Sequence, residues 1–156
     1  MTAMDRNLTQ VLQSTQAKYL GLAKGDIVAA LQSFTDLRPM TEVFDFPTGV
    51  RKTAAALDGT IPISYKNNTY NIPVRLYLWD THPYHAPICF VRPTKEMVVR
   101  ASERVDQQGR IYMPYLTDWR YPGYDLTGLL QIFVLTFQEN CPVFARPAGQ
   151  PRPSYN

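Results

Sequence analysis

The stretch that decides the fold runs from Gly59 to Pro93 and reads GTIPISYKNNTYNIPVRLYLWDTHPYHAPICFVRP. Apolar and polar residues alternate in 61–65 and again in 70–78, and alternation with period two is typical of half-buried strands. The segment 66–69, KNNT, joins the two runs, and asparagine tolerates the left-handed backbone angles of a tight reversal. The sequence therefore predicts a β-hairpin with a four-residue loop.

The register of this hairpin follows from pairing Tyr65 with Tyr70 across the loop. The other predicted partners are Ile63 with Ile72, Ile61 with Val74, and Pro62 with Pro73. One face is apolar and is predicted to face the core: Ile61, Ile63, Tyr65, Tyr70, Ile72, Val74, Leu76 and Leu78. A third apolar run, 88–91, extends the hairpin to an antiparallel meander of at least three strands.

Composition excludes several classes of protein. With 156 residues, 45% hydrophobic and 19% charged, the chain is expected to be one globular domain. The net charge of +3 is too small and scattered to favour nucleic acid, and no apolar run or leader pattern predicts membrane insertion. The two cysteines favour reduced thiols in a cytosolic protein. The 13 prolines and 10 tyrosines favour a tyrosine-lined surface that accepts proline-rich peptides.

Three helices are predicted around the meander. Asn7 caps a helix that ends near Tyr19, and Asp26 caps a second one over 27–34. The clearest helix follows Asp125 and ends before Pro142. Its apolar stripe is Leu126, Leu129, Leu130, Phe133, Val134 and Phe137.

A hairpin precedes the meander, with a strand over 42–46, a turn at 47–49 and a return over 50–57. The alanines of the return could equally form a helical turn. Residues 94–102 stay unassigned, and 105–112 is interpreted as a polar turn that leads into a short extended piece. The whole is an α+β domain over 1–145, followed by a proline-rich tail over 146–156 that we expect to lead into a longer protein.

The sequence contains no clear catalytic or metal-binding pattern. Cys89 lies in a strand, and Cys141 has no neighbouring His or Lys, so both are interpreted as structural thiols. The series Asp80, His82, His85 and Cys89 matches no closed ligand set, so no metal or other cofactor is predicted. A phosphate-binding loop, a carboxylate pair and a serine elbow are all missing from the sequence, which argues against an enzyme.

Three segments, 59–94, 105–119 (VDQQGRIYMPYLTDW) and 141–147 (CPVFARP), resemble the ubiquitin-conjugating enzyme variant (UEV) domain of ESCRT-I subunits. The resemblance implies a ubiquitin-conjugating-enzyme-like fold, with an antiparallel meander sheet packed by N-terminal and C-terminal helices. Active conjugating enzymes carry the nucleophile in a context like Gly-x-Ile-Cys-Leu, where this chain has Gly-Arg-Ile-Tyr-Met over 109–113. Tyr112 therefore replaces the cysteine, and a tyrosine cannot form a thioester. The His-Pro-Asn signature is also missing, since Arg104-Val105-Asp106 occupies that neighbourhood.

The resemblance further implies a groove for Pro-Thr/Ser-Ala-Pro peptides. Its predicted residues are Tyr65, Tyr70, Asn71, Thr94, Met97, Val143 and Phe144. Flat tyrosine rings suit proline rings, and a methionine adapts between them. Core packing at a hairpin end is the alternative role for Tyr65 and Tyr70. Ala145 departs from the family's serine, which removes one possible hydrogen bond.

A ubiquitin-binding surface is also implied by the resemblance. Its predicted residues are Asp45, Phe46, Thr48, Tyr77 and Phe90. The hairpin departs from the family, because Asp45, Pro47 and Thr48 replace Val, Asn and Asp, and Tyr77 replaces Trp. We expect ubiquitin binding to be feeble as a result.

The function implied by the resemblance is that of a non-catalytic adaptor. It would bind the Pro-Thr/Ser-Ala-Pro motifs of ESCRT-0-like or viral proteins, and ubiquitin, and would sort ubiquitinated cargo to multivesicular bodies. Other ESCRT-I subunits would bind regions outside this chain, and the protein would be cytoplasmic and peripheral at late endosomes. Two alternatives stay open: a UEV cofactor of an active conjugating enzyme, and a conjugating enzyme that uses an unrecognised cysteine.

Overall fold

Four consecutive strands form the sheet at the centre of the fold, each antiparallel to the next: β1 (Leu37–Asp45), β2 (Arg51–Tyr65), β3 (Asn68–Leu78) and β4 (Ile88–Val91). The structure, a computed structural model, describes residues 2–146. The other elements are α1 (Ala3–Ser14), α2 (Leu20–Ser33), β5 (Met97–Val99), α3 (Pro114–Thr117), α4 (Leu126–Glu139) and β6 (Val143–Ala145). The predicted α+β meander is confirmed. Most of the predicted tail, residues 147–156, lies outside the described residues.

The predicted register of the β2–β3 hairpin is wrong by two residues. The observed partners are Tyr65 with Asn68, Ile63 with Tyr70, Pro62 with Asn71, and Ile61 with Ile72. The loop consists only of Lys66 and Asn67, whose φ angles of 50° and 66° are those of a two-residue hairpin turn. Because side chains alternate with period two, a shift of two residues keeps the predicted core face. All its members are buried or pack on the core except Tyr70, which is 43% exposed.

The first hairpin is longer than predicted. β1 begins at Leu37 and contains Pro39, which an edge strand tolerates because a proline there need not donate to the ladder. The predicted return strand is confirmed, and the helical alternative for the alanines at 54–56 is wrong, because β2 is one strand of 15 residues. At Gly59, φ is +149° and an added Cβ would lie 2.0 Å from the Asp36 carbonyl oxygen, so the close approach of the chain requires glycine there.

The first two helices begin earlier than predicted. Thr2, not Asn7, caps α1, since the Asp5 amide donates to Thr2 Oγ1 at 3.1 Å in a capping box, and the helix ends at Ser14 instead of near Tyr19. α2 begins at Leu20, so Asp26 lies inside the helix and does not cap it. Asp26 instead accepts a hydrogen bond from the Leu126 amide at the start of α4, at 3.2 Å.

The third predicted helix is confirmed as α4. The Gly128 amide donates to Asp125 Oδ1 at 2.8 Å, which is the predicted N-cap. The predicted stripe is buried, apart from the half-buried Val134. α4 ends at Glu139, three residues before Pro142, and packs on β2 and α2. Helices α1, α2 and α4 thus cover one face of the sheet, where the main core lies.

A second apolar cluster, which the sequence did not predict, lies on the other face of the sheet. We call it the outer cluster: Phe46, Ala54, Ala56, Tyr77 and Ile88, with the partly buried Met40, Phe44, Trp79 and Phe90.

The unassigned segment 94–102 contains β5, which pairs with β6 in a separate two-stranded sheet. The predicted polar turn is confirmed by the bridge between Val105 and Ile111. Within residues 2–146, no helix is long and apolar enough to cross a membrane.

Candidate functional site

A groove with a volume of about 410 Å³ lies between the end of the β2–β3 hairpin and the small β5–β6 sheet. The residues that line it are Tyr65, Tyr70, Glu96, Met97, Arg100, Cys141, Val143, Phe144 and Ala145. The structure thus brings together five of the seven residues predicted for the peptide site. The other two, Asn71 and Thr94, are exposed but do not line the groove.

Two tyrosines from the hairpin form one wall of the groove. Tyr65 is the last residue of β2, and Tyr70 lies near the start of β3. Their ring centroids are 6.4 Å apart and their planes meet at 63°. Tyr65 is half-buried and packs against the main core, and it also lines the groove. It therefore combines the two roles that the sequence analysis treated as alternatives. Tyr70 is exposed and does not contribute to the core.

The floor of the groove is the β5–β6 pair. The partners are Met97 with Ala145, Val98 with Phe144, and Val99 with Val143. One further backbone hydrogen bond continues the pairing at each end, from the Arg100 amide to the Pro142 carbonyl (2.7 Å) and from the Arg146 amide to the Glu96 carbonyl (2.8 Å). The floor is therefore a fixed backbone surface that holds Met97 and Phe144 in place.

The sequence did not predict the two charged residues of the groove, Glu96 and Arg100. Both flank the apolar run of β5, one on each side. The Arg100 guanidinium carbon lies 5.4 Å from the centroid of the Phe144 ring, a cation–π contact that can hold the charge at the groove. Only the pairing of β5 with the distant β6 places them there, and that pairing has no local sequence signal.

Both cysteines are buried. The Cys141 thiol, beside the groove, donates to the Val143 carbonyl at 3.3 Å. Cys89 lies in the main core, and burial raises the pKa of its thiol well above the usual range. Since the thiolate is the reactive form of cysteine, burial makes Cys89 unreactive.

Tyr112 is exposed and lies outside the groove. Its amide donates to the Arg104 carbonyl at 2.7 Å, and its hydroxyl donates to Asp106 Oδ2 at 3.3 Å. The Arg110 guanidinium carbon lies 5.2 Å from the ring centroid. A small cavity of about 140 Å³, lined in part by Tyr112 and Cys89, adjoins this loop.

The residues predicted to contact ubiquitin differ widely in exposure. Asp45 is exposed at the end of β1, where its Oδ2 lies 2.7 Å from an Arg51 guanidinium nitrogen, and Thr48 lies in the exposed turn. Phe90 is half-buried. Phe46 and Tyr77, in contrast, are only 3% and 2% exposed, since both belong to the outer cluster. In this conformation the aromatic side chains at 46 and 77 are therefore not available for contact.

Tyr77 is buried because neighbours that the sequence analysis did not consider cover it. The Phe44 ring stacks on it, with centroids 4.0 Å apart and an angle of 9° between the planes. The Tyr77 hydroxyl donates to Glu42. Burial, and then this hydrogen bond, raise the pKa of the phenol. Phe44 and Glu42 therefore stand between Tyr77 and solvent.

The series Asp80, His82, His85 and Cys89 does not form a metal site. Lys52 donates to Asp80 at 2.8 Å, His82 Nε2 lies 2.7 Å from Asp26 Oδ2, and Cys89 lies in the core. Across the described part of the chain, no three His, Cys, Asp or Glu residues are placed to hold an ion.

Comparison with known sequences identifies the domain. The family model named "UEV domain" matches residues 7–145. Over 138 residues the chain is 42% identical to the human tumor susceptibility gene 101 protein. The aligned region covers 88% of this chain and 35% of that protein. The chain thus spans about a third of the length of that relative.

Two solved structures are similar in fold. The yeast vps23 UEV domain in complex with a vps27 PSDP peptide matches with a TM-score of 0.73 and 21% sequence identity. The match covers 96% of this chain and 95% of the yeast chain. A complex of the Vps23 UEV with ubiquitin matches with a TM-score of 0.71 and 24% sequence identity. The match covers 85% of this chain and 91% of the matched chain. These matches confirm the predicted ubiquitin-conjugating-enzyme-like fold. The match of the family model to residues 7–145 shows that this chain belongs to the UEV domain family.

Proposed function

We propose that this chain is a non-catalytic adaptor domain whose groove binds Pro-Thr/Ser-Ala-Pro peptides. The observation that carries the proposal is the groove of about 410 Å³ with Tyr65, Tyr70, Met97 and Phe144 on its walls and floor. The 42% identity to the human tumor susceptibility gene 101 protein supports it, as does the PSDP peptide in the yeast structure of the same fold.

The groove suits a proline-rich peptide for physical reasons. Such peptides adopt the polyproline II conformation before binding, so little entropy is lost, and aromatic-lined grooves accept their rings. Tyrosine adds a hydroxyl that can bond a peptide carbonyl. Asn71 and Thr94, exposed near the groove, are proposed as further polar contacts at its edge. With so few anchors, we expect Kd values between about a micromolar and a millimolar.

We also propose that the domain cannot carry ubiquitin as a thioester. Tyr112 occupies the position of the nucleophile, and neither Cys89 nor Cys141 is exposed. Incubation with a ubiquitin-activating enzyme, ATP and ubiquitin is expected to give no thiol-sensitive adduct. Tyr112→Cys should not restore activity, because a nucleophile alone lacks the surrounding groups that stabilise the transition state. An adduct on either native cysteine would contradict this proposal.

Ubiquitin is the second proposed ligand, bound weakly through Asp45, Thr48 and Phe90, with Phe46 and Tyr77 supporting them from beneath. The complex of the yeast Vps23 UEV with ubiquitin supports this assignment. The cellular role that follows is ESCRT-I-dependent sorting of ubiquitinated cargo at late endosomes. Contacts with other ESCRT-I subunits would lie outside this chain. The proposed UEV domain covers residues 1–145, which the family match to 7–145 supports.

A titration of the domain with a labelled Pro-Thr-Ala-Pro peptide tests the main proposal. We expect saturable binding, and no binding of a matched peptide in which both prolines are replaced by alanine. Equal affinity for the two peptides would contradict a groove that recognises proline. Co-elution with an active conjugating enzyme, without peptide binding, would instead indicate the cofactor role.

A further inference from the structure

The floor of the groove carries one charge at each end. Glu96 directly precedes β5 and Arg100 directly follows it, and both line the groove. Glu96 lies in the turn before β5, which the Met97 amide closes by donating to the Thr94 carbonyl at 3.0 Å. The floor of the groove therefore has a carboxylate at one end and a guanidinium at the other.

Neither charge is neutralised within the described part of the chain. No carboxylate in residues 2–146 lies within 4.0 Å of the Arg100 guanidinium, and no cation there lies as close to the Glu96 carboxylate. Arg100 is held over the Phe144 ring by the cation–π contact, which leaves its N–H groups available to an external acceptor. This arrangement differs from Arg75 on the central sheet, which bonds both Asp58 and Glu42.

The spacing of the two charges is close to the length of the proposed ligand. The four residue steps from Glu96 to Arg100 span at most roughly 13 Å. The two residues that flank a four-residue motif are five steps apart, or about 16 Å in a polyproline II helix. Because glutamate, arginine and lysine have long side chains, a peptide that lies along the floor can place its two flanking residues within reach of Glu96 and Arg100.

We propose that the groove selects proline-rich motifs flanked by opposite charges, with a basic residue on the side nearest Glu96 and an acidic residue on the side nearest Arg100. This inference rests on the proposed peptide-binding function and adds to it. Apolar walls hold the motif, and the two end charges determine which flanks are preferred and in which direction the peptide lies. Charge complementarity of this kind contributes more to specificity than to affinity.

Three peptides test the proposal. All contain Pro-Thr-Ala-Pro, with Gln on both sides in the first, Asp before and Lys after the motif in the second, and Lys before and Asp after in the third. The wild-type domain should bind one of the two charged peptides about two- to five-fold more tightly than the other, as expected for exposed ion pairs. Raising the salt concentration should reduce this preference, because the charges are at the surface.

Two variants make the test decisive. The charge-swapped double variant, Glu96→Arg with Arg100→Glu, should prefer the other charged peptide. The neutral double variant, Glu96→Gln with Arg100→Gln, should bind the two charged peptides with equal affinity. Circular dichroism of both double variants checks that they fold.

The outcomes separate this inference from the proposed function. The inference would be overturned if the wild-type domain bound the two charged peptides with equal affinity, or if the wild type and the swapped variant preferred the same peptide. Binding of the Gln-flanked peptide would still support the proposed function in that case. If the wild-type domain bound none of the three peptides, the proposed function would fail and the inference with it.

Discussion

The groove and the outer cluster are both rich in aromatic residues, yet they differ in exposure. In the groove, Tyr70 and Phe144 are 43% and 39% exposed, whereas in the outer cluster Phe46 and Tyr77 are almost completely buried. The groove lies at the end of the β2–β3 hairpin, beyond the last pairs of the β3–β4 ladder. The outer cluster is covered by the aromatic side chains of its own hairpin. The aromatic residues that the resemblance indicated therefore support the fold in the outer cluster and are accessible in the groove.

The largest effect expected from this comparison is on stability. Phe46→Ala should lower the free energy of unfolding by about 3–5 kcal/mol, as is usual when a buried phenylalanine is truncated. Leu130→Ala, in the main core, should cost a similar amount, while the exposed Tyr70→Ala should cost less than about 1 kcal/mol. Urea denaturation measures all three. A Phe46→Ala domain as stable as wild type would show that Phe46 is a surface residue.

The next effect concerns peptide binding. Tyr65→Ala and Met97→Ala should each weaken Pro-Thr-Ala-Pro binding by at least about 1–2 kcal/mol, because each removes an anchor from the groove. Isothermal titration calorimetry measures the change, and circular dichroism shows whether the variants fold. Thr48→Ala, far from the groove, is the control with unchanged affinity. Two folded groove variants with wild-type affinity would contradict the peptide site.

Ubiquitin binding should be weaker and easier to lose. We expect a Kd of hundreds of micromolar or more, or roughly 5 kcal/mol of binding free energy or less. Phe90→Ala should abolish it, because Phe90 is the one aromatic of the predicted ubiquitin site that is half-exposed. The variant should remain folded, which circular dichroism can check. Unchanged shifts of labelled ubiquitin with millimolar wild-type domain would contradict the proposed ubiquitin surface.

The smallest effect is expected at the tip of the first hairpin. Asp45→Asn removes the ion pair with Arg51, whose two side chains are 67% and 68% exposed. Exposed pairs contribute roughly 0.5 kcal/mol, so the unfolding midpoint should hardly move. A large loss of stability would show that the hairpin tip carries more of the fold than its exposure indicates.

Local patterns predicted part of the fold well. The period-two alternation determined the core face of the β2–β3 hairpin, and Asp125 with its apolar stripe determined α4. The register was missed because the turn places Lys66 at positive φ, a conformation that lysine rarely adopts and the sequence does not indicate. α1 was missed in part because its capping box lies at the very start of the chain.

The site was predictable only as far as the resemblance extended. The resemblance supplied five groove residues but not Glu96 or Arg100. These two residues line the groove because β5 pairs with β6, and that pairing joins segments more than 40 residues apart in the chain. The resemblance also indicated Phe46 and Tyr77, but it did not indicate that they are buried. Their burial depends on side chains from β1, and no local sequence pattern connects β1 to β3. Exposure is a tertiary property, and it separates the two aromatic regions.

The most direct test of the account is an NMR titration of the labelled domain with the Pro-Thr-Ala-Pro peptide. We predict that chemical-shift changes concentrate at Tyr65, Tyr70, Met97 and Phe144, and that the outer cluster around Tyr77 stays unchanged. No shifts at millimolar peptide, or shifts around Tyr77 and Phe90 in place of the groove, would contradict it.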